Sequence, residues 1–203
     1  LAPHVDYHVI EKTPSGYLTV ETFSNTLATQ VEKALNELEG MGLTSLIVDL
    51  RDNTGGYLTA ATDVASIFLN KGDKIFSLEY QNDVTDYKDE TRESKNYPIV
   101  VLINGNSASA SEILTAALKE SYGATTVGET SFGKGKVQQT MQLDDGSMIK
   151  YTSSYWLTPN GTCIDELGIA PDYYVTNTEQ TDASGNTIIV DDQLNKAIEI
   201  LNE

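Results

Sequence analysis

The sequence predicts an α/β fold in which helices flank a layered β-sheet core. Two short segments, residues 44–50 and 98–103, are almost continuously apolar, which is typical of strands buried on both faces. Segments with apolar residues at helical spacing alternate with strand patterns through the first two thirds of the 203 residues. This alternation indicates a layered α/β fold, and the length suits one large domain or two small ones.

The first strand and helix are indicated by a change in apolar spacing. Residues 17–23 are rich in β-formers and predict a strand. Apolar residues then recur every three or four positions, which predicts a helix. Asn25 or Thr26 is placed to cap this helix, and Gly40 and Gly42 are placed to end it.

A loop and a second helix follow the buried strand 44–50. Residues 51–56 are rich in turn formers and predict a loop, and apolar spacing predicts a helix over 58–69. Residues 74–80 indicate another strand. Residues 82–96 are polar and charged, so we expect an exposed connection there.

The second half begins with the buried strand 98–103, which leads into a serine-rich turn and a helix that ends near Gly123. After this helix the pattern changes to strands joined by turns. The remaining predicted elements are strands over 125–128, 137–143, 148–155 and 173–176, an irregular stretch over 159–171, and an amphipathic helix over 191–202 capped by Asp191 or Asp192.

The composition argues against several classes of function. Lys and Arg total 13 against 30 Asp and Glu, a formal net charge of -17. A field of that sign repels phosphate backbones and anionic lipids, so we expect no nucleic-acid partner. The single cysteine, Cys163, excludes an intramolecular disulfide and a thiolate metal cluster. No apolar stretch approaches the roughly 20 residues that span a membrane.

The chain contains too few histidines to favour a site that depends on them. The two histidines, His4 and His8, lie at the extreme N-terminus, which we expect to be loosely held. A Ser-His-Asp triad would have to take its base from this end, and a histidine-rich zinc site is equally hard to assemble. We expect neither a metal nor another cofactor.

A serine-rich segment over 104–112, NGNSASASE, joins the strand 98–103 to the following helix. Open sheets place reactive groups at strand-to-helix junctions of this kind, and the unpaired N–H groups of a helix start can stabilise an oxyanion. A serine that simply caps the helix would also explain the pattern. Three alternating serines followed by Glu112 are more than a cap requires, which keeps a nucleophile as the second interpretation.

A glycine-rich segment over 128–139, GETSFGKGKVQQ, has two interpretations. Residues 128–134 match the GxxxxGK pattern of a phosphate-binding loop, but Gly135 stands where that loop needs Ser or Thr. The residues that follow indicate a strand, whereas a phosphate cradle needs a helix there, so we expect no nucleotide site. Lys134, between two glycines, can instead be directed inward to take the proton of a serine nucleophile.

A lysine base accepts a proton only as a neutral amine, and burial against apolar groups favours that form. We therefore expect Lys134 in a dry pocket beside Phe132 or another apolar wall. Gln138 lies four positions on and could hold the amine in line without adding charge. The alternative is a solvated turn lysine, the usual situation of this residue type.

A third segment, DLRDNTGG over 49–56, could supply a backbone N–H from Gly55 or Gly56 to a substrate carbonyl. A β-to-α turn that needs glycine accounts for the pattern equally well. We expect Asp49 and Arg51 to brace this loop and not to react.

Together these segments resemble the carboxyl-terminal processing peptidases, the tail-specific proteases of the S41 serine peptidase family. DLRDNTGG is similar to their DLRxNxGG loop, NSASASE to their SASASE segment, and FGKGKVQQ to their FGKGxVQ segment. Residues 164–175, IDELGIAPDYYV, resemble their GIxPDxxV ending, and the terminal helix is also similar. The resemblance covers nearly all of residues 1–203, which it implies to be the catalytic core.

The resemblance implies the fold and the roles of particular residues. The fold is the α/β core of the ClpP and crotonase superfamily. Ser109 is the implied nucleophile, Lys134 the general base, and Gln138 the residue that orients the lysine. The implied oxyanion hole consists of the backbone N–H of Ala110 with one from Gly55 or Gly56.

The implied function is a serine endopeptidase that cleaves proteins and peptides near their C-termini through an acyl-enzyme. Family members usually carry a PDZ domain that captures the substrate C-terminus, and we expect it elsewhere in the full-length protein because residues 1–203 leave no room for it. They usually act outside the cytoplasm, so an extracytoplasmic location is implied. We expect the substrate to lie extended as an added strand. The alternative is a non-catalytic ligand-binding module of the same fold, as in retinoid-binding relatives.

Overall fold

The computed structural model describes residues 4–91, 94–182 and 184–203. The strands in these ranges are β1 Val5–Val9, β2 Ser15–Val20, β3 Ser45–Asp49, β4 Lys74–Tyr80, β5 Asp83–Lys88, β6 Ile99–Ile103, β7 Thr125–Gly128, β8 Lys136–Gln142, β9 Met148–Leu157, β10 Tyr173–Tyr174, β11 Thr178–Thr181 and β12 Thr187–Val190. The helices are α1 Leu27–Gly40, α2 Leu58–Phe68, α3 Ala110–Ala116 and α4 Asp192–Leu201, and α3 continues as a π-helical turn over Ala117–Tyr122.

A six-stranded sheet forms the centre of the fold, in the order β1-β2-β3-β6-β7-β10. β1 pairs antiparallel with β2, and the other pairs of this sheet are parallel. β3 and β6 are buried along their whole length, as expected for parallel strands with helices on both faces. The predicted α/β fold with flanking helices is confirmed.

The two faces of this sheet belong to two different cores. Leu46 and Val48 of β3 lie in the larger core, which contains residues of α1, α2 and α3. Ile47, between them, points to the opposite face because side chains alternate along a strand. There it belongs to a smaller core with Ala197 of α4.

A second, antiparallel sheet has the order β5-β4-β9-β8. Phe76 of β4 and Trp156 of β9 are buried in the larger core, so this sheet is anchored to the same interior as the first. β8 lies at the edge of this sheet, and β9 is its neighbour there. The β8–β9 register shifts between Val137 and Gln138. The second sheet therefore ends in an open edge close to the glycine-rich segment.

Most of the predicted elements are present within a few residues of their predicted bounds. Four strands lie where none was predicted, namely β1, β5, β11 and β12. β1 corrects the expectation of a loose N-terminus, since His8 pairs with Tyr17 across the β1–β2 register. β5 lies in the stretch expected to be a connection and is exposed at every residue, so it carries no apolar pattern. Residues 92 and 93 of that stretch lie outside the described residues.

The helix caps are partly as predicted. Thr26 takes the N-cap position of α1, but its hydroxyl caps no helix N–H and instead accepts from Gln30 Nε2 at 2.9 Å. Asp191 caps α4, where its Oδ1 accepts the Leu194 N–H at 2.9 Å. In the ranges that the structure covers, no helix combines the length and apolar character that crossing a membrane requires.

Candidate active site

One cavity of about 320 Å³ brings together the three segments that the sequence singled out. It is lined by Gly56, Leu58, Ser109, Ala110, Ile113, Lys134, Lys136, Val137, Gln138, Lys150 and Trp156. Two larger cavities, of about 440 and 930 Å³, contain none of the candidate catalytic or oxyanion residues. The smaller cavity is therefore the candidate active site.

Ser109 lies where β6 has ended and α3 begins, at the N-cap of the helix. Its backbone has φ 59° and ψ -114°, a region that residues other than glycine rarely occupy. Such strain is found mainly at functional sites, where the surrounding structure holds it in place. Ser109 is half-buried and faces the cavity.

The two flanking serines have structural partners. Ser107 and Ser111 are fully buried. Ser107 Oγ donates to the Leu50 carbonyl at 2.8 Å, and Ser111 Oγ donates to the Asn53 carbonyl at 2.8 Å. The alternation of three serines thus has a physical reason. The outer two bind the start of the helix to Leu50 and Asn53 through hydrogen bonds, and the middle one faces the cavity.

Asn53 fixes the 51–56 loop from inside. It is 1% exposed, and its Nδ2 donates to the Val20 carbonyl at 2.7 Å. Its Oδ1 accepts the Gly55 N–H at 2.8 Å. Its carbonyl accepts the Ala108 N–H at 3.0 Å. This single side chain and its backbone connect β2, the loop and the start of α3.

The two loop glycines differ as candidate oxyanion donors. The Gly55 N–H is already donated to Asn53, so it is not available to a ligand. Gly55 instead provides space, because a Cβ there would lie 3.0 Å from Ser109 Cβ and 3.1 Å from Ala110 N. For the N–H groups of Gly56 and Ala110, no protein acceptor is found among the described residues. Both of these residues line the cavity beside Ser109.

A buried carboxylate, Glu112, joins the serine segment to the lysine segment. Its Oε2 accepts the N–H of Ser109 at 2.8 Å and the N–H of Lys134 at 3.0 Å. Its Oε1 accepts the Ser131 hydroxyl and the Gly133 N–H, both at 2.6 Å. Because one oxygen binds both backbones, Ser109 and Lys134 are held as neighbours at one edge of the cavity.

The backbone of Lys134 is fixed from a second side by the indole of Trp156. Trp156 Nε1 donates to the Lys134 carbonyl at 2.8 Å. The adjoining glycines allow a close approach to the 164–169 segment, since a Cβ on Gly135 would lie 2.7 Å from the Asp165 nitrogen. β8 follows at once, so the absence of a phosphate-loop helix after Lys134 is confirmed.

The Lys134 side chain corrects one expectation. It lines the cavity, but it is exposed, and Phe132 beside it is 63% exposed. The expected dry pocket is therefore wrong, and the exposure of Lys134 agrees with the alternative of a solvated turn lysine. Within the described residues, no carboxylate oxygen lies within 4.0 Å of the Lys134 ammonium.

A model of peptidase family S41 matches residues 14–175. This match spans well over half of the chain and contains all three segments of the site. The chain belongs to peptidase family S41. The sequence resemblance to this family is confirmed.

Two curated proteins share substantial identity with the chain. It is 43% identical over 157 residues to the carboxy-terminal processing protease CtpB of Bacillus subtilis (strain 168), which covers 77% of this chain and 33% of the relative. It is 39% identical over 166 residues to the protease CtpA of the same strain, which covers 81% and 36%. The chain thus spans about a third of the length of these relatives.

Two solved structures share the fold of this chain. The photosystem II D1 C-terminal processing protease matches with a TM-score of 0.79 and 28% identity, covering 86% of this chain and 49% of that one. Mature CPAF matches with a TM-score of 0.66 at 16% identity, covering 79% and 46%, which shows the fold alone. The layered α/β fold class is confirmed by both.

Gln138 of this S41 chain lines the cavity beside an irregularity in the second sheet. Val137 and Gln138 are consecutive residues of β8, and both line the cavity. In a regular strand, consecutive side chains point to opposite faces. The register shift lies between these two residues, opposite Ser153 of β9, and irregularities of this kind redirect side chains beside active sites.

The 51–56 loop is braced from behind, as predicted for Asp49 and Arg51. Arg51 forms an ion pair with Asp49 at 2.6 Å and another with Asp191 at 2.7 Å. Burial and the neighbouring Asp49 raise the pKa of Tyr17, which donates to that carboxylate, to about 12. None of these residues lines the candidate active site. They tie β3 and its loop to the start of α4.

The described residues of this S41 chain do not form a metal-binding cluster. In residues 4–91, 94–182 and 184–203, no group of three His, Cys, Asp or Glu side chains is arranged to hold an ion. His4 and His8 do not line the cavity.

Sequence reasoning missed the residues that organise this site. Glu112, Asn53 and Trp156 each make hydrogen bonds between segments that are distant in the chain. The S-x-x-E spacing of Ser109 and Glu112 is a capping-box pattern, and it was the available signal for Glu112. Asn53 is the asparagine of the DLRxNxGG pattern, which was the available signal for it. The contact of Trp156 with Lys134 is long-range and leaves no local pattern.

Proposed function

We propose that this chain is the catalytic core of a serine endopeptidase that cleaves proteins and peptides near their C-termini. Ser109 is the nucleophile and Lys134 the general base, and Gln138 orients the lysine. The observation that carries this proposal is the Glu112 carboxylate, which binds the backbones of both residues while both side chains line one cavity. The names of the relatives, which are carboxy-terminal processing proteases, support the substrate class.

The reaction follows the acyl-transfer scheme of serine peptidases. The neutral Lys134 amine takes the proton of Ser109, whose oxygen attacks the scissile carbonyl carbon. The tetrahedral intermediate collapses, the C–N bond breaks, and the lysine returns its proton to the leaving amine. Water then attacks the acyl ester, again losing its proton to the lysine, and the released serine recovers that proton.

The oxyanion of the intermediate is bound by two backbone N–H groups, those of Gly56 and Ala110. Both lie beside Ser109 and lack protein acceptors among the described residues, so they can donate to a ligand without losing an existing hydrogen bond. Ala110 also begins α3, where the helix dipole favours negative charge. Removal of one such donor from a serine peptidase costs about 3 kcal/mol in the barrier.

The bound peptide supplies the shielding that Lys134 lacks in this structure. We place the peptide along β8, whose outer edge is open and whose residues Lys136, Val137 and Gln138 line the cavity. A peptide strand there would lie over the amine and remove water from it. Longer peptides should therefore raise kcat and not only lower KM, because part of their binding energy activates the base.

The proposal also covers a further domain of the full-length protein and its location in the cell. We propose that a PDZ domain outside residues 1–203 presents substrate tails, and that the protein acts outside the cytoplasm. No nucleic acid is among the proposed partners, since the net charge of -17 opposes it.

A serine-directed phosphonylating probe tests the proposed nucleophile. The chain should be labelled on Ser109, identified by mass spectrometry of the modified peptide. Ser109→Ala should abolish labelling, whereas Ser147→Ala, at an exposed turn, should not change it. Labelling of a different serine, or none at all, would support the alternative of a ligand-binding module.

Lys134→Ala tests the base separately from the fold. The variant should keep the circular dichroism spectrum and urea midpoint of the parent, since the exposed side chain makes no hydrogen bond or ion pair with the described residues. Peptide cleavage and probe labelling should fall by about a hundredfold or more, because general-base catalysis contributes 10²–10⁴-fold. Normal turnover in this variant would end the dyad proposal.

A further inference from the structure

The candidate active site has an unusual charge for this chain. The chain carries 30 acidic and 13 basic Lys and Arg residues. Yet the described residues that line the cavity include three lysines, Lys134, Lys136 and Lys150, and no Asp or Glu. In an otherwise acidic molecule, this cavity is therefore a local site of positive charge.

The three lysines differ in their partners. Lys136 forms ion pairs with Asp165 at 3.0 Å and with Glu166 at 3.2 Å, and the hydrogen bond to Asp165 is the main cause of its raised pKa. Its charge is thus already balanced inside the protein. Lys134 is assigned above to proton transfer, which requires a neutral amine.

Lys150 is the remaining cation. It lies on β9 opposite Thr140, two positions along β8 from Gln138. No carboxylate oxygen in the described part of the chain lies within 4.0 Å of its ammonium group. Lys150 therefore combines an unbalanced positive charge with a position on the wall of the catalytic cavity.

We propose that Lys150 is a specificity-determining residue that binds a carboxylate of the bound peptide. The carboxylate comes from the C-terminus of the substrate or from an Asp or Glu side chain close to it. The inference rests on the proposed function, since it assigns the peptide to the same cavity. It places recognition of an acidic tail in the catalytic core itself, in addition to any separate substrate-binding domain.

The size of the effect follows from the exposure of Lys150. An exposed ion pair contributes about 0.2–1 kcal/mol, which corresponds to roughly a 1.4-fold to fivefold change in affinity. Because the described residues that line the cavity include no Asp or Glu, we expect the upper part of that range. We expect about a fivefold preference for a peptide with a free C-terminal carboxylate over the same peptide amidated.

Binding measured without turnover tests the inference. Fluorescence anisotropy would compare three peptides on the Ser109→Ala chain: a free acid, its C-terminal amide, and the amide with Glu near the end. The amide should bind about fivefold more weakly than the free acid. The Glu-containing amide shows whether a side-chain carboxylate can replace the terminal one. Raising the salt concentration should reduce the difference because it screens the pair.

The same assay on variants identifies the responsible residue. Lys150→Gln should remove the preference for the carboxylate, and Lys150→Arg should retain it because the charge is kept. Lys88→Gln, an equal charge change at an exposed position on β5, should leave the preference unchanged.

The outcomes separate this inference from the proposed function. Equal binding of acid and amide, no measurable binding of either, or a preference that survives Lys150→Gln would overturn the role of Lys150. Turnover by the parent chain without any carboxylate preference would leave the peptidase proposal standing and remove this one. A carboxylate preference in a chain that the phosphonylating probe does not label would support the role of Lys150 and contradict the peptidase proposal.

Discussion

At the scale of single residues, Glu112 has more influence on the site than its position in a cap suggests. It is fully buried, and both of its oxygens accept two hydrogen bonds from the serine and lysine segments. A buried carboxylate is stable only when its lone pairs are satisfied in this way. Glu112 therefore couples the integrity of the fold to the relative position of Ser109 and Lys134.

Replacing Glu112 by Gln should reduce both stability and labelling of Ser109. The amide keeps the size of the side chain but turns one acceptor oxygen into a donor, which faces N–H or O–H groups. Hydrogen bonds to charged groups contribute about 1.5–3 kcal/mol each, so we expect a loss of roughly 2–4 kcal/mol in the free energy of unfolding. Urea denaturation measures the stability, and the labelling rate with the phosphonylating probe measures the site.

Glu120→Gln is the matched control for this change. Glu120 accepts a single N–H, from Asn160 at 2.7 Å, and it is only half-buried. We expect a loss below about 1 kcal/mol. A Glu112→Gln variant as stable and as reactive as the control would show that the buried carboxylate does not organise the site.

Gly56 and Gly123 allow a comparison of crowding with backbone strain. Both have positive φ, 148° and 90°, but a Cβ on Gly56 would lie 2.3 Å from the Phe23 carbonyl oxygen, whereas a Cβ on Gly123 meets nothing within 4 Å. Gly123→Ala should cost only the strain, about 1–2 kcal/mol. Gly56→Ala should cost roughly 2 kcal/mol more by urea denaturation and should also displace a proposed oxyanion donor. Equal losses would contradict the crowding argument.

At the scale of elements, the sequence predicts those parts of the fold that bury apolar side chains. β3, β6 and β4 were predicted closely because their burial leaves continuous or regular apolar patterns. β5 is held by backbone pairing with β4 and is exposed throughout, so its residues show no such pattern. Strands of this kind depend on a neighbour elsewhere in the chain.

The candidate site also has features that the sequence predicts and features that it does not. The residues whose local motif is distinctive, Ser109, Lys134 and Gln138, were found from the sequence and share one cavity. Their roles in catalysis stay predictions. For Lys134 the sequence left two outcomes, a dry pocket and a solvated turn, and the structure shows the exposed one, because the exposure of that side chain depends on long-range packing. The hydrogen bond from the Gly55 N–H to Asn53 could not be predicted, because it depends on the position of one buried amide side chain.

The junction between β3, its loop and α4 gives the stability of the protein a defined dependence on pH. Burial alone would raise the pKa of Asp191, but the hydrogen bonds from Arg51 and the Leu194 N–H lower it below the usual 3.8. The folded-state pKa is therefore below the unfolded one. The stabilisation is present above about pH 4 and is lost as the pH falls through the lower folded value.

Asp191→Asn tests this dependence. The variant should be less stable than the parent by roughly 1 kcal/mol at pH 7, since the exposed part of the ion pair is screened by water. The difference should shrink as the pH falls below about 4, because the parent then loses the same charge. Urea denaturation between pH 2.5 and 7 measures it. Asp63→Asn, on the exposed face of α2, should change stability by less than about 0.5 kcal/mol throughout.

At the scale of the whole molecule, the acidic surface and the positively charged cavity have opposite effects. The net charge of -17 produces repulsion within the folded state, which is more compact than the unfolded chain. It also repels anionic peptides at long range, while Lys150 attracts them at short range in our proposal. Salt screens this long-range repulsion before it screens the short-range attraction, since the Debye length falls from about 30 Å at 0.01 M to about 8 Å at 0.15 M.

Stability at pH 7 should therefore increase with salt. Between 0.01 and 0.15 M NaCl we expect a rise of roughly 1 kcal/mol in the free energy of unfolding, because weakening the repulsion among 30 carboxylates outweighs the loss of exposed ion pairs. Urea denaturation at the two concentrations measures the change, and KCl at equal ionic strength controls for specific ion binding. Near pH 4, where about half of the carboxylates are protonated, the rise should disappear. A fall in stability with salt at pH 7 would mean that the ion pairs of Arg51 and its neighbours outweigh the net repulsion.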